Sequence, residues 1–110
     1  MVFDRTTRIL FSGDTVYPGR LYFQCGRAEE YRASIDRVAD FAAARQVRWL
    51  VGAHIEMKSA PGESFQGEDR ARRDEHLLEL RPSVLEEIQQ SLLKMGNQVR
   101  VETHDDFILF

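Results

Sequence analysis

There is only one cysteine, Cys25, so no internal disulfide can form, and a reducing cytoplasm is the compartment this usage fits. Positive charge is not in excess. A formal net charge of -3, with no basic stripe interleaved with aromatics, excludes a general attraction to phosphate backbones or anionic lipid. Neither nucleic acid nor a membrane is therefore expected as a partner. The opening residues MVFDRTTR have neither the apolar core of a leader nor the length of an anchor. Internal repeats and low-complexity tracts are absent as well.

What is present suits one domain over residues 1–110, since 43% hydrophobic and 30% charged residues supply a core and a solvated surface. Arg8 to Ser12 and Arg48 to Ala53 are short apolar runs with β-branched or aromatic members, which predicts buried strands. Between them, Tyr31, Ile35, Val38 and Ala42 recur at helical spacing, with charges on the opposite side, so Ala28 to Arg45 reads as a helix. From Arg81, Ser83 and Glu86 form a capping box, Leu85, Ile88, Leu92 and Met95 share one face, and Gly96 supplies the stop. Then QVRVE alternates and FILF is continuously apolar, with the turn THDD between them, which predicts a terminal hairpin. Val2 and Phe3, before the turn DRTT, are placed to pair with Arg8 to Ser12, and the chain reads as starting partway through a structural unit. The expected order is β, short β, α, β, long loop, α, β, β. Ile55 to Leu80 is the loop, too charged for burial and long enough to serve as a lid.

The chemistry concentrates where the two central strands end. Asp14 follows one, in SGDT, and His54 follows the other, in VGAHIEM. Joined by a right-handed crossover, parallel neighbouring strands release both side chains at one carboxyl edge, and a carboxylate with an imidazole suits zinc, iron or manganese. Structural readings compete with this. Asp14 serves equally as a turn residue beside a permissive Gly13, and His54 as a strand-end residue with a satisfied ring. His76, Asp74 and Glu75 form a charged cluster that reaches the site or lies solvated on the loop. His104, Asp105 and Asp106 read as a polar turn, and Tyr17, Pro18 and Gly19 as a tight turn with Tyr17 beside a cleft. Cys25 lacks a partner that would activate it, and Arg70, Arg72 and Arg73 are balanced by acids.

Taken together, LFSGDTVYPGRLYF, VGAHIEM, DEHLLEL and HDDFILF closely resemble the C-terminal half of a metallo-β-lactamase-fold metallohydrolase, from about Asp4 to Phe110. That resemblance implies an α/β (α+β) fold that is half of an αββα sandwich. It implies a metal site at the sheet edge in which Asp14 is the carboxylate that bridges two metals and His54 the last histidine ligand. Zinc, or iron or manganese, is the implied cofactor, and hydrolysis of lactams, thioesters, lactones or phosphoesters the implied chemistry. The family's His-x-His-x-Asp-His motif does not occur among His54, His76 and His104. With two ligands instead of about three, the metal site is incomplete and the isolated chain is expected to be inactive. Half a sandwich also exposes a sheet face, so completion by a homodimer, by a missing N-terminal half or by a separate partner chain is expected. A non-catalytic homodimeric binding module is the alternative.

Overall fold

The two central apolar runs lie side by side, because the helix between them returns the chain to the same edge for a parallel pairing, Leu10 opposite Leu50. In the computed structural model, which describes residues 1–24, 26–66 and 74–110, the strands are β1 (Val2–Asp4), β2 (Ile9–Gly13), β3 (Arg20–Leu21), β4 (Trp49–Gly52), β5 (Glu79–Leu80), β6 (Glu102–Thr103) and β7 (Ile108–Leu109). The helices are α1 (Ala28–Arg45) and α2 (Ser83–Met95). One mixed sheet runs β1-β2-β4-β5 and the other β3-β7-β6. The chain is thus an α+β domain. Cys25 and the cluster Arg70, Arg72 and Arg73 lie outside the described residues.

Side chains alternate across a strand, so each register row of the larger sheet faces one way. Phe3, Leu10, Leu50 and Leu80 form the row under the helices; the three leucines are buried, and Phe3 meets Phe41 of α1 edge to face at 5.4 Å. From above, α1 contributes Ile35, Val38 and Ala42, and α2 contributes Leu85, Ile88, Leu92 and Met95. The neighbouring row, Val2, Phe11, Val51 and Glu79, points away from the helices, with Val2 68% and Phe11 45% exposed. Overall the molecule measures 39 × 37 × 20 Å, its short side being about one helix diameter plus one sheet spacing, each near 10 Å. Among the described residues, the β1–β2 end of this second face is the exposed part.

Both helices end as their sequences indicate. Gln46 takes a left-handed conformation after α1, and Gly96 has φ +55 after α2. The Arg32 guanidinium of α1 donates to the Gly96 carbonyl, which ties the two helices at that end. The capping box is a correction: Ser83 makes no side-chain cap, and the first turn of α2 closes through Val84 N–H to Arg81 and Leu85 N–H to Pro82, both at 3.0 Å. A second correction concerns the long connection. Met57 and Phe65 are buried, and backbone bonds from Glu56 and Met57 to Pro18, and from His76 to Met57, stitch this segment to the domain. Two apolar residues isolated among charges carry no periodic signal. The short strand expected before the first helix is β3, whereas β5 was unforeseen, since two residues show no alternation and its pairing comes from a distant strand.

Candidate functional site

Asp14 and His54 meet at the carboxyl edge of the larger sheet. The β2–β4 ladder is extended by Ala53 N–H donating to Gly13 O at 2.9 Å, which sets the next residues, Asp14 and His54, side by side. Gly13, at φ +56, turns the chain so that Asp14 faces its neighbour. His54 Nε2 and Asp14 Oδ1 then stand 2.8 Å apart, with side chains 55% and 76% exposed. This juxtaposition is the one the strand pairing predicts.

The loop carrying Asp14 is fixed from below. Ser12, a buried hydroxyl, donates to Val16 O at 2.7 Å, and Thr15 N–H closes a turn onto Ser12 O at 3.1 Å. The Tyr31 hydroxyl reaches from α1 to Thr15 O at 3.1 Å. Tyr17 is buried, donates its hydroxyl to Arg20 O, and meets the His54 ring edge to face at 5.3 Å and 74°. Burial, and then the nearby Glu56 carboxylate, push the Tyr17 phenol well above its usual range, so it remains a hydrogen donor. Glu56 accepts from Arg20 N–H at 2.9 Å and pairs with the Arg20 guanidinium at 3.5 Å, while that guanidinium also donates to Phe65 O at 2.6 Å. A groove of about 440 Å³ beside the pair is lined by Ala53, His54, Ile55, Glu56, Glu75 and Leu78.

The other histidines are engaged elsewhere. His76 turns Nε2 to Asp106 at 2.7 Å and Nδ1 to Leu77 O at 2.6 Å, so neither nitrogen is left for the Asp14–His54 pair. Glu75, its neighbour, does line the groove; Asp74 has φ +62 and its carbonyl accepts from Ser59. His104 stacks on Phe107 with Nδ1 2.8 Å from Glu87 and Nε2 2.9 Å from Glu102 and 3.0 Å from Ser91. Serine, histidine and glutamate stand here at the spacing of a nucleophilic triad. The chemistry does not follow. Ser91 is 5% exposed and its hydroxyl donates to Glu102 at 2.9 Å, so Nε2 faces that carboxylate as a donor and is not free to take the serine proton. The cluster instead pins the β6–β7 hairpin to α2. Sequence spacing missed it, because Glu87, Ser91, Glu102 and His104 converge only when helix and hairpin dock.

A carboxylate oxygen and an imidazole nitrogen fit zinc, iron or manganese by donor type. Two donors bonded at tetrahedral angle to one zinc would stand about 3.3 Å apart, so opening the present contact by about half an ångström converts a hydrogen-bonded pair into a chelating one. The described residues hold no group of three or more His, Cys, Asp or Glu arranged for a metal. No protein-family profile, curated protein or solved structure matches this chain. No helix among the described residues is long and apolar enough to cross a membrane.

Proposed function

We propose that Asp14 and His54 are two ligands of a metallohydrolase site, and that the chain is the C-terminal half of a metallo-β-lactamase-like sandwich. The supporting observation is the 2.8 Å approach of carboxylate and imidazole at the carboxyl ends of adjacent parallel strands. When bound there, zinc, iron or manganese would lower the pKa of a coordinated water toward about 7 and polarise a substrate carbonyl or phosphoryl oxygen. The chain's own residues hold the ligands: Ser12, Gly13 and Tyr31 fix the loop of Asp14, and the β4 ladder fixes His54. A hydrolytic site needs about three protein ligands, so the isolated chain is inactive. The missing donors come from a second layer seated on the open sheet face, supplied by an N-terminal half or a separate chain.

Elemental mass spectrometry tests this on the protein purified from its native host with whatever chain accompanies it. About one zinc, iron or manganese per copy is expected, lost in both Asp14→Ala and His54→Ala while far-UV circular dichroism is unchanged. Metal retained in both variants overturns the reading. The exposed Val2 and Phe11 favour a second reading, a non-catalytic homodimer that buries this face between two copies. It predicts a dimer by light scattering, converted to monomer by Phe11→Lys, and no stoichiometric metal.

A further inference from the structure

His54 lies beyond the end of β4 with more than half of its side chain in solvent. A histidine so exposed ordinarily samples several rotamers, and ordering it carries an entropic cost. Asp14 is still more exposed and offers no fixed point. The ring also meets Tyr17, which is itself firmly held.

Three constraints hold Tyr17. Its hydroxyl donates to Arg20 O. Its ring lies over Gly19 so closely that a Cβ built there would stand 2.5 Å from Cε2 and 2.8 Å from Cδ2. Its main chain lies against Gly52, where a Cβ would fall 3.0 Å from Tyr17 Cα and 2.7 Å from Val16 O. Two glycines in different segments thus close on one tyrosine, and the ring of that tyrosine meets the His54 ring in a T-shaped contact at 5.3 Å and 74°. Edge-to-face aromatic contacts are directional, so a fixed Tyr17 favours the one His54 orientation that aims Nε2 at Asp14.

We propose that Tyr17 is the positioning residue of the Asp14–His54 pair, selecting the imidazole rotamer that makes the two side chains converge. This deepens the ligand-pair reading given above, yet it is tested without any metal. Three-bond side-chain couplings of His54 by NMR report its rotamer populations directly. One dominant rotamer is expected in the wild-type chain and in Tyr17→Phe, which keeps the ring. Averaged couplings are expected in Tyr17→Leu. If Tyr17→Leu does not fold, Tyr17→Met fills the same space with an unbranched side chain and takes its place. Unchanged His54 couplings in a folded Leu or Met variant overturn the proposal, as does averaging in the wild-type chain. With zinc as the only added metal, the Leu or Met variant should bind about tenfold more weakly than Tyr17→Phe. Absence of zinc binding to every form counts against the metal reading, and the couplings still decide the role of Tyr17.

Discussion

Gly52→Ala should destabilise the domain through space alone. The added Cβ would fall 2.7 Å from Val16 O and 3.0 Å from Tyr17 Cα, and closer still to Tyr17 Cβ. Comfortable carbon contacts lie at about 3.5–4.0 Å, so the tip of β4 and the Asp14 loop must part by about an ångström. Neither side can rotate out of the way, because the obstacles are main chain or attached directly to it. Overpacking of this kind costs about 1–3 kcal/mol, and main-chain obstacles favour the upper end. The reduced entropy of the unfolded alanine chain returns about 0.5–1 kcal/mol, which leaves a net loss of about 2 kcal/mol. Gly13→Ala is the control. No atom lies within 4 Å of its Cβ position, yet its φ of +56 imposes the left-handed penalty, about 1–2 kcal/mol, which the same entropic return reduces to a net loss of about 1 kcal/mol, and Gly13→Asn should recover part of it. In urea unfolding followed by circular dichroism, with unchanged m values, Gly52→Ala should lose about twice what Gly13→Ala loses. The corresponding falls in Tm are about 8 and 4 °C. A Gly52→Ala loss below about 0.5 kcal/mol, or the opposite ranking, refutes the packing argument.

Ser12→Ala removes the buried donor to Val16 O and should cost about 1–2 kcal/mol by urea unfolding. Glu56→Gln keeps an acceptor for Arg20 N–H and should cost under about 1 kcal/mol, whereas Glu56→Ala leaves that amide unpaired and should cost about 2 kcal/mol, read by the same assay. The Ser91 hydroxyl first, then His104 and Arg100, hold the Glu102 carboxyl below its ordinary 4.5. A depressed folded value makes the hairpin's stabilisation complete above that ordinary value and lost as pH falls through the folded one; hydrogen-exchange protection factors at β6–β7, taken relative to intrinsic rates, should fall on acidification, and Glu102→Gln should flatten the response. Burial raises the Tyr17 and Tyr31 phenols, so their contribution is complete below an ordinary 10.0 and declines above it, and alkaline unfolding should shift to higher pH in Tyr31→Phe.

The sequence made the Asp14–His54 juxtaposition legible because two strand-end residues and one helical crossover suffice to place them together. Strong periodicity did the same for α1 and α2, whose buried faces carry Ile35, Val38 and Ala42, and Leu85, Ile88, Leu92 and Met95. The supporting parts were hidden. Glu56 stands two residues after His54, but its partner Arg20 is distant in sequence, and the glycine cradle of Tyr17 joins Gly19 to Gly52 only in three dimensions. Ser83 looked like a cap because its spacing to Glu86 fits, yet the preceding Pro82 already holds a helical conformation, and the backbone of Arg81 and Pro82 takes the first amides. His76 sat in a charged cluster near the right loop, and only the position of Asp106 shows where its ring turns.

The parallel pairing of Leu10 with Leu50 joins positions about forty residues apart, and closing a loop of that length has to precede any reward from the contact. The carboxylate and imidazole therefore meet only once that loop has closed. A spectroscopic label at His54 would report closure of the whole crossover and parting of β2 from β4.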